Sequence, residues 1–272
     1  MYWELVQLVQ ASILAGAVLG VVGGLIGVFV MQRDMAFAVH GISELSFAGA
    51  AGALLLGANV VAGSVVGALA AAAIIGLLGA RARDRNSIIG VLMPFGLGLG
   101  ILFLALYPGR SGNKFGLLTG QIVSVDFDQL GLLIAISIVV LAGLLLMWRP
   151  LTFDSLDPEV AAARGVPTRA LGLAFMLLLG LTVAVSVQII GALLVLALLV
   201  TPAAAALRVS ASPVMVPVLS MVFGMVSAVG GILVAIGGSL PISPYITTIS
   251  FAIYLGCRLL GHLRHRRRKV AA

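Results

Sequence analysis

Nine apolar runs, each near the length that crosses a bilayer, constrain this chain more than any other feature. They fall at roughly 8–30, 35–57, 60–80, 87–107, 129–148, 168–187, 189–207, 213–236 and 244–262. A bilayer's hydrocarbon core is about 30 Å thick, so a helix needs about 20 residues to span it. Backbone in hydrocarbon must satisfy its own N–H and C=O groups, which leaves helices and closed barrels. Barrel strands alternate polar and apolar residues, whereas these runs are continuously apolar. The expected fold is all-α: a polytopic transmembrane helical bundle of about nine spans. A composition 61% hydrophobic and 9% charged over 272 residues agrees, as does a mean hydropathy of +1.22.

The formal net charge of +7 could point to nucleic acid, but its placement points to membrane orientation. With the tail from Arg264 to Lys269 inside the cell, alternation brings Arg33, Arg81, Arg83, Arg85, Arg149, Arg164, Arg169, Arg208 and Arg258 inside too. Only Arg110 and Lys114 then lie outside, so 14 of the 16 basic residues share one side. Basic residues favour the cytoplasmic face. The expectation is N-terminus out and C-terminus in, with no nucleic-acid partner. Residues 1–263 read as one membrane domain, with a cytoplasmic segment near 154–167, and 264–272 as a basic cytoplasmic tail. Met1-Tyr-Trp-Glu lacks the basic start of a cleavable signal peptide. The single cysteine, Cys257, excludes an intramolecular disulfide and a multi-thiolate metal site.

Glycine is abundant, at 34 residues. Gly16, Gly20 and Gly24 recur every fourth residue and share one helix face, a spacing that lets helices pack closely. Gly96, Gly98 and Gly100 read similarly in the fourth span. Tight packing within the chain is favoured over a dimer seam.

Of nine acidic residues and three histidines, only Glu44 and His40 fall well inside a span. Residues i and i+4 share a helix face. An uncompensated charge at the bilayer centre costs about 2.5–3.5 kcal/mol on insertion scales, so something must offset it. Imidazole nitrogen with carboxylate oxygen suits Zn²⁺, Mn²⁺ or Fe²⁺. Two ligands are too few for a tight site, whereas a two-fold dimer would supply four. Ser43 and Ser46 add nearby oxygens. The competing reading is a His–Glu pair that pins helices together. No H-E-x-x-H occurs, which excludes that metalloprotease pattern.

Two loops carry further candidates. In Asp154-Ser-Leu-Asp-Pro-Glu-Val-Ala-Ala-Ala-Arg-Gly-Val-Pro167, Asp157 suits an N-cap and Pro158 the first helical position. Glu159 suits the positive helix end, and Gly165 with Pro167 stops the helix. A short cytoplasmic helix is expected, either a plain loop helix or a docking helix for a soluble partner. Asp126 and Asp128, in the external loop, could concentrate cations at an entrance, although a solvated turn is the simpler reading. No G-x-x-x-x-G-K-[ST] occurs. Transport driven by ATP would therefore need hydrolysis in another chain.

Several segments, in order along most of the chain, resemble the permease subunits of bacterial ATP-binding-cassette importers for zinc and manganese. Ile190-Gly-Ala-Leu-Leu-Val-Leu-Ala-Leu-Leu-Val-Thr-Pro-Ala-Ala-Ala-Ala206 resembles the family's Val-Gly-x-Leu-Leu-Val-x-Ala-Leu-Leu-x-x-Pro-Ala-Ala-x-Ala helix. Asp157 to Pro167 resembles the cytoplasmic segment that leads into the ATPase contact. Gly120-Gln-Ile-Val-Ser-Val-Asp126 resembles the external loop, and Ile88 to Gly100 the fourth span. One departure stands out: the family's second span usually reads Gly-Asp-Ala-x-Ser-His-Ala. Here Val39-His40-Gly41-Ile42-Ser43-Glu44-Leu45 has histidine in place of the aspartate and glutamate in place of the histidine.

The resemblance implies a non-enzymatic transport subunit in the bacterial plasma membrane, crossing it several times among its lipids. Its partners would be cytoplasmic ATPase subunits, a second permease copy and an extracytoplasmic metal-binding protein. Zinc or manganese, with iron as a further candidate, would be cargo at His40 and Glu44, with no permanently bound cofactor. Asp157, Glu159, Ala162, Arg164 and Gly165 would form the ATPase coupling segment. The alternatives are a siderophore- or cobalamin-type chelate permease of the same fold, a proton-coupled secondary transporter using Glu44, and a non-transporting scaffold.

Overall fold

The computed structural model describes residues 9–79, 82–109, 127–236 and 242–270. The ordered elements among them are all helical: α1 Gln10–Gln32, α2 Ala36–Leu55, α3 Val60–Leu78, α4 Ala82–Leu106, α5 Phe127–Leu156, α6 Pro158–Ala163, α7 Thr168–Ile190, a 3₁₀ turn Ala192–Leu194, α8 Val195–Leu199, α9 Thr201–Val209, α10 Met215–Ala235 and α11 Ile242–Val270. Among the described residues, eight helices are long and apolar enough to cross a membrane; the shorter apolar stretch Val195–Val209 joins them.

That short stretch is the seventh of the nine apolar runs, and it does not form one continuous helix. Gly191 ends α7 at φ +86° and ψ 154°, a conformation essentially confined to glycine. The 3₁₀ turn follows. Pro202 then stands in the first turn of α9, where it cannot donate a backbone hydrogen bond. From Val195 to Val209 the rise is about 22 Å at 1.5 Å per residue, short of a full crossing. Composition marked an apolar run here but could not reveal that its backbone is broken.

Helices also outlast their apolar runs. α5 passes through Pro150 to Leu156, beyond the expected end near residue 148. The Thr152 hydroxyl donates to the Trp148 carbonyl (2.7 Å), and the Ser155 hydroxyl to that of Leu151 (2.6 Å). α4 begins at Ala82, within the expected polar linker, and α11 continues into the basic tail as far as Val270. A loss of hydrophobicity shows where an apolar face stops, which is not where the hydrogen-bond ladder stops.

The chain forms two compact units. The Gln32–Val195 unit is built around α2, which packs on α3, α4 and α7; α3 and α5 also pack on α7. The α2–α3 crossing depends on absent side chains. A Cβ on Gly49 would meet the Gly63 carbonyl, and one on Gly67 the Leu45 carbonyl. Gly96 and Gly100 bring α4 against α2 at Glu44–Leu45 and Phe47–Ala48, whereas Gly98 faces open space. The similar role expected of all three glycines therefore holds for two, because four residues make about one helical turn and two residues point to opposite sides.

The second unit comprises residues up to Met31 and from Leu196 onward. Here the Gly16, Gly20 and Gly24 face of α1 lies against Ala228 and Ile232, Gly224 and Met225, and Ser220 and Met221 of α10. The Ser220 hydroxyl donates to the Gly24 carbonyl at 2.6 Å. The glycine face is thus a seam within the chain. α9 packs on α10 and α11, and Val28, Ala203, Ala206 and Val216 form a buried cluster.

Candidate metal site

His40 and Glu44 lie on one face of α2, whose helical geometry alone brings i and i+4 together. His40 Nε2 is 3.6 Å from Glu44 Oε1, beyond ordinary hydrogen-bond distance. The Glu44 side chain is 3% exposed and that of His40 26%. Glu44 Oε2 and His40 Nδ1 are both buried without a hydrogen-bond partner. Buried polar atoms are nearly always satisfied, so such orphans call for an occupant. Gly96 lets the α4 backbone approach Glu44 and Leu45, and Ile89 of α4 lies against Gly41. The pair is thus held on a helix clamped by its neighbours.

The two serines near the pair are already engaged. Ser43 donates to the His40 carbonyl at 2.8 Å. The Ser46 hydroxyl lies 2.7 Å from that of Ser64 on α3. Among the described residues, no three His, Cys, Asp or Glu side chains come together. The site therefore offers one imidazole and one carboxylate, donor types that divalent transition metals accept.

Of the two entrance candidates, Asp126 lies outside the described residues. Of Asp128 only the backbone is described, in the first turn of α5. The coupling candidates form α6 and its flanks. Asp157 Oδ1 accepts from the Val160 N–H at 3.0 Å, Pro158 opens the helix and Glu159 occupies its first turn. Ala161 is buried, whereas Glu159, Ala162, Arg164 and Gly165 are exposed. Gly165 takes φ +85°, which suits glycine beyond a helix end.

Sequence reading missed Asp154, which it placed in a loop. Asp154 lies in the last turn of α5, 2% exposed, with Oδ2 2.7 Å from Arg33 Nη2. The two residues are 121 positions apart, and no local pattern links them. Arg33 also sits over the Phe175 ring at 5.5 Å. A cavity of about 840 Å³ opens beside them, lined by Arg33, Asp34, Arg85, Asp154, Pro158 and Arg169 among others.

The helical membrane chain thus carries a His/Glu pair in its second span and a capped helix after its fifth. Its sequence matches the ABC 3 transport family over residues 5–260. The chain belongs to that family. It is a membrane transport subunit rather than an enzyme, and it resides in the plasma membrane. This ABC 3 permease is 32% identical to the "Manganese transport system membrane protein MntC" of Halalkalibacterium halodurans, over 80% of this chain and 75% of that one. It is 26% identical to the "High-affinity zinc uptake system membrane protein ZnuB" of Haemophilus influenzae, over 81% of this chain and 87% of that one. The permease's fold superposes on a chain of "PsaBC from Streptococcus pneumoniae in complex with Fab" with a TM-score of 0.84, at 26% identity and 94% coverage of each chain.

Proposed function

We propose that this permease carries Mn²⁺ or Zn²⁺ into the cell as the membrane subunit of an ATP-driven importer. Relatives named for manganese and zinc transport support that cargo. The observation that carries the reading is the His40–Glu44 pair, Glu44 buried and His40 partly exposed, with one buried unpartnered atom on each side chain. The metal is substrate here, so it must bind and then leave. A two-ligand site in each of two copies, meeting at a two-fold axis, would give four ligands on closure and fewer on opening. A transport site must bind well enough to admit its ion and weakly enough to release it.

In this reading residues 1–263 act as one permease domain. The end carrying Arg33, Arg85 and Arg169 faces the cytoplasm, because basic residues favour that side. The exposed helix α6 meets the ATPase subunits through Asp157, Glu159, Ala162, Arg164 and Gly165. An extracytoplasmic binding protein delivers the ion from the other side, past Asp126 and Asp128. The test is elemental analysis of cells depleted first of zinc and then of manganese, with the complete system compared with Glu44→Gln. A Glu44-dependent rise in one metal is expected and names the cargo. Equal metal content in both strains overturns the assignment.

A further inference from the structure

We propose that the Arg33–Asp154 ion pair is the strut that carries movement of α6 into the span holding His40 and Glu44. Arg33 and Asp154 are then positioning residues for transport. The inference rests on the reading of α6 as the ATPase contact and of α2 as the metal-bearing span.

The Asp154 end is rigidly tied to α6. Asp154 lies three residues before Asp157, whose side chain caps α6. The Asp157 N–H in turn donates to the Phe153 carbonyl at 3.2 Å. α6 is therefore joined directly to the last turn of α5, and a displacement of α6 reaches Asp154 within that turn.

The Arg33 end is equally tied to α2. The connection from α1 is Arg33-Asp34-Met35, with Asp34 in the left-handed region at φ +53°. The Met35 carbonyl accepts from the N–H groups of Ala38 and Val39 at 3.0 and 3.4 Å, so Met35 is fused to the first turn of α2. Arg33 thus stands three residues before α2 begins, and His40 lies about one helical turn further on.

The guanidinium is held on several sides. Nη2 pairs with Asp154, Nη1 donates to Ser155 Oγ at 3.5 Å, and the Phe175 ring lies beneath. The Arg33 carbonyl also accepts from Arg85 Nη2 at 3.3 Å. An apolar contact could stabilise this place as well as a buried ion pair does. An ion pair adds a short, directional link that can break and re-form. Asp154 Oδ1 is buried without a partner, which leaves the carboxylate a second position in which to engage. The adjoining cavity, with Pro158 of α6 on its wall, gives α6 room to move.

The test uses the complete transporter, permease with its ATPase subunits, in liposomes. A spin label is placed on Phe37→Cys in α2, in a Cys257→Ser background. The variants are Arg33→Gln, Asp154→Asn and the exchange Arg33→Asp with Asp154→Arg. ATP should change label mobility in the parent, each neutralisation should abolish that change, and the exchange should restore it. Metal uptake in the neutralised variants should fall about tenfold or more while ATP hydrolysis stays within about twofold, a loss of coupling of ordinary size. A merely structural pair would lower hydrolysis together with uptake. Retained label response in the neutralised variants, no response in the parent, parallel loss of hydrolysis, or an exchange that restores nothing each overturns the strut. If a neutralised variant fails to assemble, Arg33→Lys, which keeps the charge facing Asp154 without the fork to Ser155, should keep the label response; its loss in an assembled Arg33→Lys variant counts against the proposal. The label needs no cargo. A parent that responds to ATP but moves no Mn²⁺ or Zn²⁺ sinks the cargo reading and leaves the strut standing.

Discussion

The Ser46 and Ser64 hydroxyls meet 2.7 Å apart in the buried seam between α2 and α3, and Ser64 reaches on to the Ala184 carbonyl of α7 at 3.3 Å. Three helices are thus tied together just beyond Glu44. Each serine has a second partner besides the other hydroxyl, because Ser46 also donates to the Ser64 carbonyl at 3.2 Å. Ser64→Ala removes the bond to α7 and Ser46→Ala the bond to the Ser64 carbonyl, and neither strands the hydroxyl that remains. Either change should cost about 0.5–1.5 kcal/mol. Thermal unfolding in detergent should lower both midpoints by comparable, modest amounts; an unchanged midpoint in either variant would refute the chain of bonds.

Glu44→Gln keeps the shape of a side chain packed on a helix while removing its charge and halving its oxygen ligands. Assembly should be unchanged. Metal uptake should fall by more than the roughly 10–100-fold that losing a supporting hydrogen bond costs at metal sites. Size-exclusion profiles check the first expectation and cell-associated metal checks the second.

Exchanging the pair, His40→Asp with Glu44→His, keeps one carboxylate and one imidazole at i and i+4. Transport should survive, with the ratio of manganese to zinc uptake shifted, because the buried and the half-exposed positions now hold different ligands. Competition between the two ions in uptake assays reads the ratio. Complete loss in a folded, assembled variant would show that position matters as much as ligand type.

α6 and the end of α5 expose Val160 at 44% and Leu156 at 76%. Exposed apolar groups beside a polar helix suit a partner protein. Val160→Asp should therefore leave the permease folded but weaken its association with the ATPase subunits by about tenfold, the size of a moderate interface contact. Co-purification at graded concentrations checks it. Asp157→Ala should act differently: it removes the N-cap at a cost of about 1 kcal/mol and frays α6 itself. Hydrogen exchange at residues 158–163 separates the two.

What could be read without coordinates was what depends on near neighbours in the chain. The His40–Glu44 pair is set by helical spacing. So is α6, where an aspartate, a proline and a glycine each suit their position. The glycine face of α1 showed that some helix packs closely there; that α10 fills it required distant residues to be brought together. The break at Gly191 was hidden because glycine is tolerated in a membrane helix, and only backbone dihedrals tell a packed glycine from a broken helix. The Arg33–Asp154 pair was hidden for the same reason as α10, since its two halves belong to different helices.

Hydrophobicity along this chain determined that it is a helical membrane protein and where most of its spans lie, because a bilayer imposes length and polarity on each segment separately. It also determined which two ionisable groups stand on one face within the second span. Tertiary structure alone decided that Glu44 is sealed and incompletely bonded, that Ser43 and Ser46 are committed elsewhere, and that an arginine near the start of α2 grips an aspartate at the end of α5. Burial and long-range pairing depend on which helices touch, and that depends on the whole chain at once.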